Sequence, residues 1–145
     1  MQRSELAQFH QSFFDEAGEH AHTLEQRLLE LEANPGDAEL HNALFRAAHS
    51  IKGSSAMLGF ESVTRLTHAL ETLLEGVRAL RVKVDAALAS LLLAATDQLS
   101  STLDAAREQN PAPDNAALIA RLEAAAGLAP APTAPPPAPR ARARA

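Results

Sequence analysis

One histidine of this chain lies where a packed helix has no structural use for it. Apolar residues recur through segment 40–58 at spacings of 4, 3, 4 and 7, which predicts one buried stripe: Leu40, Leu44, Ala47, Ile51 and Leu58. At about 100° per residue, His49 projects from roughly the opposite side of this helix. Imidazole is a titratable nucleophile, and Lys52, one turn further on, could offset negative charge placed on the ring. The pattern predicts a docking surface with a nucleophilic histidine at its centre.

The same side of the helix carries residues that a partner protein could contact: Asn42, Phe45, Gly53 and Ala56. An aromatic ring one turn before the histidine suits a protein–protein contact. A glycine inside a helix costs up to ~1 kcal/mol relative to alanine. We interpret the cost of Gly53 as a sign that a partner must approach closely here.

A second polar stripe follows on the next predicted helix, which begins at Glu61 or Ser62. Its members are spaced 4, 3 and 4 residues apart: Thr64, His68, Glu71 and Glu75. If the two helices form an antiparallel hairpin, this stripe can face His49. A carboxylate that accepts the Nδ1–H of a histidine fixes its tautomer and leaves Nε2 as a free nucleophile. Position makes Glu71 the candidate for this role, with His68 one turn away.

Helical periodicity extends over most of the chain. The first helix is expected from about Ser4 to Ala33, before the break at 34–36, and the second runs from the N-cap Asp37 to Leu58. The fourth begins at the N-cap Asp85 and ends before residue 110, and a short fifth covers 114–126. Short connections require antiparallel neighbours, which predicts an all-α, up-down four-helix bundle with an appended fifth helix.

The periodicity also assigns individual residues to the core or to the surface. Leu6 and Phe9 fall on the apolar stripe of the first helix, and Leu80 falls on that of the third. Four further histidines are predicted to be surface residues: His10, His20, His22 and His41.

Composition narrows the classes of function. The 145 residues suit one domain, here 1–127, and the Pro/Ala/Arg-rich end, 128–145, is expected to be a disordered linker leading into a longer protein. A net charge of −5 without a basic patch before this end argues against nucleic-acid binding. There is no cysteine, and no apolar run is long enough to span a bilayer, so a cytoplasmic protein is expected.

Metal and nucleotide sites are weakly signalled. Glu19 and His22 form a Glu-x-x-His pair of the kind that di-iron bundles use twice, but the sequence has no second copy. A glycine-rich phosphate loop and a credible Ser–His–Asp arrangement are also missing from the sequence. We therefore expect no cofactor or metal in this domain.

Three stretches together resemble a known family. They are Leu44-Phe45-Arg46-Ala47-Ala48-His49-Ser50-Ile51-Lys52-Gly53, then Gly59-Phe60, then His68-Ala69-Leu70-Glu71-Thr72-Leu73-Leu74. Over about residues 4–126 the chain resembles the histidine phosphotransfer domain at the N-terminus of the chemotaxis kinase CheA. The family often has Gly-Gly after the lysine, where this chain has Gly53-Ser54.

The resemblance implies a role for each site residue. His49 would be the phosphoacceptor, Glu71 would hydrogen-bond its ring, and His68 and Lys52 would tune the site. The phosphoryl group would come from ATP through a separate kinase domain and leave to an aspartate of a CheY-like or CheB-like response regulator. ATP and Mg²⁺ would be bound by those partner domains, and this domain would be monomeric.

Two alternatives remain open at this point. The chain could be the phosphotransfer module of a hybrid phosphorelay, standing between two regulators. It could also be a helical interaction or scaffold bundle without chemistry, which would tolerate substitution of His49.

Overall fold

The computed structural model describes residues 3–127 and consists of five helices. These are α1 (Arg3–Leu31), α2 (Ala38–Leu58), α3 (Glu61–Arg78), α4 (Ala86–Arg107) and α5 (Ala116–Ala125). Helix α1 packs against α2 and α4, and α3 packs against the same two helices, which closes a ring of four. Helix α5 lies against α3 and α4. The predicted all-α four-helix bundle with a fifth helix is confirmed; the linker predicted at 128–145 lies outside the described residues.

Helix ends follow the local chemistry of the sequence. The Asp37 carboxylate accepts hydrogen bonds from the backbone N–H groups of Glu39 and Leu40, at 3.0 and 3.2 Å. Asp85 accepts from Leu88 N–H at 2.8 Å, so both predicted N-caps are confirmed. Gly59 ends α2 with a φ of 81°, a left-handed conformation that suits glycine. The α2–α3 connection is therefore only two residues long, and it forces these helices into a tight antiparallel hairpin.

Leucines from all five helices form one continuous core. The largest side chains that are almost completely buried are Leu24, Leu28, Leu31, Leu44, Ile51, Leu66, Leu70, Leu73, Leu74, Leu92, Leu99 and Leu122. Burial of each such side chain contributes about 1.5–3 kcal/mol relative to exposure. None of the helices in the described part of the chain is long and apolar enough to cross a membrane.

Three residues that the periodicity assigns to the core are exposed instead. Leu6 and Phe9 are 43% and 53% exposed, because the first turns of α1 extend past the end of α2. The ring of Phe60, which follows α2, lies 5.0 Å from that of His10, so Leu6 and Phe9 lie beyond the α2–α3 connection. Leu80 is 78% exposed because α3 ends at Arg78 and Leu80 takes a φ of 63°.

The surface prediction for His41 is wrong. His41 is buried, and its Nε2–H donates to the carbonyl of Pro35 at 2.6 Å, because the α1–α2 connection folds back over the start of α2. His10 and His20 are half-buried, whereas His22 is exposed.

Two predicted helix boundaries also differ from the structure. Helix α1 ends at Leu31, two residues before the predicted Ala33. Helix α5 begins at Ala116, two residues after the predicted Asp114, because the Asp114 carboxylate accepts from Ala116 N–H at 3.0 Å in a turn.

Candidate functional site

The α2–α3 hairpin brings His49 and Glu71 into contact. The Nδ1 atom of His49 is hydrogen-bonded to Oε2 of Glu71. An ionised carboxylate can only accept, so Nδ1 must carry the proton. In the neutral imidazole, Nε2 then carries no proton and is the nucleophilic atom, on a side chain that is 61% exposed to solvent. Glu71, one member of the polar stripe of α3, therefore faces His49, as the sequence predicts.

The second oxygen of the same carboxylate is also in use. Lys52 Nζ donates to Oε1 of Glu71 at 2.6 Å, so two donors from α2, one turn apart, share one acceptor on α3. Lys52 is half-buried. Its ammonium group is held by Glu71 and not by the imidazole, a position that the sequence could not specify.

Glu71 is ionised at neutral pH although its side chain is buried. Burial favours the neutral acid and by itself raises the pKa of this carboxyl. The hydrogen bonds and positive charge of Lys52 and His49 outweigh burial and hold the pKa of Glu71 below its ordinary value of 4.5. A fixed negative charge therefore lies next to the Nδ1 atom of the His49 imidazole.

A hydroxyl pair fixes the relative position of the two helices beside the site. The Oγ atom of Ser55 and the Oγ1 atom of Thr64 are 2.7 Å apart, and Thr64 donates to the carbonyl of Phe60 at 3.0 Å. Ser55 is completely buried, so only a small side chain fits where α2 and α3 approach each other. This contact sets the register that places Glu71 opposite His49.

The other side of the imidazole carries an aromatic stack. The ring of Phe45 is nearly parallel to that of His49, at 12°, with the centroids 5.8 Å apart. The guanidinium of Arg78 lies 4.0 Å from the Phe45 centroid. Arg78 also donates to Glu75 at 2.5 Å and to Asn42 at 3.5 Å. Phe45 and Asn42, predicted partner contacts, are thus also part of the internal structure of the site.

The remaining predicted site residues are exposed. Gly53 and Ala56 lie on the open surface of α2, and a Cβ atom added to Gly53 would meet no neighbouring group within 4 Å. The backbone of α2 is therefore accessible to a partner at this point. His68 is exposed too, and its side chain makes no hydrogen bond or ion pair within residues 3–127. The tuning role of His68 and the partner contacts of Gly53 and Ala56 stay predictions.

Sequence reasoning missed Arg78 and Ser55. The signal for Arg78 was present, since continuing the α3 stripe from Glu75 by three residues reaches it. Ser55 gave no such signal, because the sequence does not report how closely two helices approach. The weakly signalled metal pair, Glu19 and His22, is joined by no third ligand: residues 3–127 hold no group of three or more potential metal ligands.

The chain matches known proteins over most of its length. The model of the Hpt domain family matches residues 8–127. The chemotaxis protein CheA of Klebsiella aerogenes is 44% identical over 101 residues, which is 70% of this chain and 16% of that protein. The chain thus spans less than a fifth of the length of the curated relatives that it matches.

Two solved structures are similar to this chain over at least 95% of their own length. The CheA phosphotransferase domain from Thermotoga maritima is 36% identical, with a TM-score of 0.64, over 69% of this chain and 95% of that one. The phosphorylated P1 domain of CheA3, solved in complex with CheY6 from R. sphaeroides, is 28% identical, with a TM-score of 0.73, over 83% of this chain and 96% of that one.

Proposed function

This chain belongs to the Hpt domain family, and on that premise we propose that His49 accepts a phosphoryl group on Nε2 and passes it to an aspartate of a response regulator. The observation that carries this assignment is the hydrogen bond from His49 Nδ1 to the buried Glu71 carboxylate. In the neutral ring it leaves Nε2 with a free lone pair, on a side chain that is largely exposed. Of the six histidines in the chain, His49 is the one with this arrangement among residues 3–127.

In the first step, the Nε2 lone pair of His49 attacks the γ-phosphorus of ATP. The N–P bond forms as the bond between this phosphorus and the ADP oxygen breaks, and ADP leaves. The imidazole gains positive charge during the attack, and the Glu71 carboxylate, fixed at Nδ1, stabilises that charge. Because His49 lies on an exposed surface, a separate kinase domain must hold the ATP in line.

In the second step, a carboxylate oxygen of the regulator's aspartate attacks the phosphorus of phosphohistidine. The N–P bond breaks, an O–P bond forms, and Nε2 recovers its lone pair. Nδ1 keeps its proton, hydrogen-bonded to Glu71, in both steps, so His49 returns to its starting tautomer. The exposed α2 surface at Gly53 and Ala56 gives the regulator access to the phosphoryl group.

The partners follow from the same premise. We assign the kinase role to a CheA-type catalytic domain and the acceptor role to a CheY-like or CheB-like regulator, since one similar domain was solved with CheY6. We assign the binding of ATP and Mg²⁺ to those partners. We place the phosphoryl transfer in the cytoplasm, where ATP is available. The functional unit is taken as a monomer of residues 1–127, followed by a linker at 128–145.

Intact mass spectrometry tests the proposal. The chain is incubated with ATP, Mg²⁺ and a CheA kinase core, and then with a CheY-type regulator. We expect a gain of one acid-labile phosphoryl group, which then moves to the regulator. His49→Gln should abolish the gain, whereas His22→Gln, at an exposed position of α1, should keep it.

Full incorporation of phosphate by His49→Gln would remove His49 from this role. Indifference of the wild-type chain to every kinase core would instead favour the scaffold alternative. Transfer only between receiver domains, without any kinase core, would favour a hybrid phosphorelay.

A further inference from the structure

The ring of Phe45 connects His49 to a set of polar residues two turns away. Along α2, Asn42 lies one turn before Phe45 and His49 one turn after it. Arg78 reaches the Phe45 ring and Asn42, whereas His49 stacks on the Phe45 ring from the other direction along the helix. The Phe45 ring therefore contacts both the guanidinium of Arg78 and the imidazole of His49.

Arg78 is itself held in place from two sides. Its Nη2 atom donates to Glu75 at 2.5 Å, and its Nη1 atom donates to Asn42 at 3.5 Å. The first contact lies within α3 and the second reaches across to α2. The close contact with Glu75 and the longer one with Asn42 orient the guanidinium beside the Phe45 ring, and a cation and a ring face attract each other.

His49 needs such support because one hydrogen bond does not fix a ring completely. The bond from Nδ1 to Glu71 sets one end of the imidazole, yet the side chain remains 61% exposed and can rock about that bond. A parallel ring on one face limits this motion. The direction of the Nε2 lone pair then depends on how firmly Phe45 is held.

We propose that Arg78 is a positioning residue, which acts through Phe45 to hold the His49 imidazole in the orientation required for in-line attack on phosphorus. The consequence for phosphorylation rests on the proposed function of His49, but the effect on the ring does not. Arg78 needs no contact with the phosphoryl group in this role. An arginine that simply bound the phosphoryl group or the partner would act independently of Phe45.

The direct test is NMR relaxation of the His49 ring in the whole chain. Arg78→Met should lower the order parameter of the ring carbons, because the stem is kept but the cation is lost. Arg78→Lys, which keeps a cation, should recover part of the order. Arg65→Met is the matched control. Arg65 is exposed on the same helix and precedes Glu71 by about two turns, whereas Arg78 follows it. This variant should leave the order of the His49 ring unchanged.

The functional test uses phosphoramidate, a small phosphoryl donor that needs no kinase domain. The rate of His49 phosphorylation, taken after subtracting a His49→Gln background, should fall about fivefold in Arg78→Met. Phe45→Leu should slow the reaction by a similar factor. The double variant should be no slower than Phe45→Leu alone, because Arg78 acts through the ring that is already missing. With the kinase core, kcat should fall while KM stays the same.

Several results would overturn the inference. Unchanged ring relaxation in Arg78→Met would do so whether or not the chain is ever phosphorylated. Additive rate effects of Arg78→Met and Phe45→Leu, or a change confined to KM, would assign Arg78 to the phosphoryl group or the partner instead. Failure of the wild-type chain to accept phosphate from either donor would contradict the proposed function, while the relaxation data would still decide the positioning role.

Discussion

At the scale of single residues, the site depends on one carboxylate with two donors. Glu71 accepts from Lys52 and from His49, and its negative charge is stabilised by both although the side chain is buried. The lysine therefore has a structural as well as an electrostatic role, because it helps to keep Glu71 ionised behind the imidazole. If His49 is the phosphoacceptor, as proposed, a change at Glu71 should affect both its reactivity and the contact between α2 and α3.

Glu71→Gln tests this double role. The amide keeps the shape of the side chain but loses the charge, and only its oxygen can accept, so one of the two donors is left without an acceptor. We expect phosphorylation of His49 to slow about tenfold, or ~1.4 kcal/mol in activation free energy. The free energy of unfolding should fall by about 1–2 kcal/mol, measured by urea denaturation. An unchanged rate would mean that the carboxylate has no part in the chemistry.

The lowered pKa of Glu71 also predicts a dependence of stability on pH. The folded-state pKa lies below the unfolded value of 4.5, so the folded state binds fewer protons at this group. Its stabilising contribution is complete above the unfolded pKa and is lost as pH falls through the folded-state value. The difference in unfolding free energy between wild type and Glu71→Gln should be constant near neutral pH and narrow below about pH 4.5. A difference that stays constant into acid would contradict this assignment.

At the scale of elements, α2 carries a poor helix former at an exposed position, Gly53. Gly53 lies inside the helix, five residues before its end at Leu58, with open space around it, although alanine would be the better helix former. The buried face of the same helix packs in the core, and its half-buried residues form the stack beside His49. The glycine is the point where the backbone itself is accessible.

Gly53→Ala should therefore raise stability and impair transfer. We expect a gain of up to ~1 kcal/mol in unfolding free energy. Transfer of phosphate to a CheY-type regulator should slow about tenfold, because the added methyl group blocks close approach. Gly18→Ala is the matched control: Gly18 is exposed on α1, also with open space around it, and should raise stability without slowing transfer. Equal transfer rates in both variants would remove Gly53 from the docking surface.

At the scale of the whole molecule, α3 lies between the helix that carries His49 and the helices that support the bundle. Helix α3 packs against α2 on the side of His49 and also against α4 and α5. Leu122 of α5 is completely buried in the common core. The fifth helix thus stabilises α3 without contributing a residue to the site described above.

Leu122→Ala should separate stability from activity. Removal of this buried side chain should lower the free energy of unfolding by about 2–5 kcal/mol, through lost burial and the cavity left behind. Phosphorylation of His49 well below the melting temperature should stay at the wild-type rate. Leu29→Ala, at an exposed position of α1, should change stability by less than about 0.5 kcal/mol. A slower phosphorylation of folded Leu122→Ala would show that α5 influences the site.

The sequence was sufficient for what depends on neighbours along the chain. Helix periodicity, the caps Asp37 and Asp85, and the spacing of the α3 stripe all follow from contacts within about one turn, so each could be predicted. The pairing of His49 with Glu71 could also be predicted, because a two-residue connection makes α2 and α3 antiparallel neighbours, although the Ser55–Thr64 contact sets their exact register.

Contacts between distant residues required the tertiary structure. The exposure of Leu6 and Phe9 depends on where α2 ends relative to α1, and the burial of His41 depends on the path of the α1–α2 connection. Periodicity reports which face of a helix is apolar, but not how far a neighbouring helix covers it. Distances across the hairpin likewise determine that Lys52 binds Glu71 and that Arg78 contacts the Phe45 ring. Residue spacing along a single helix carries no information about these distances.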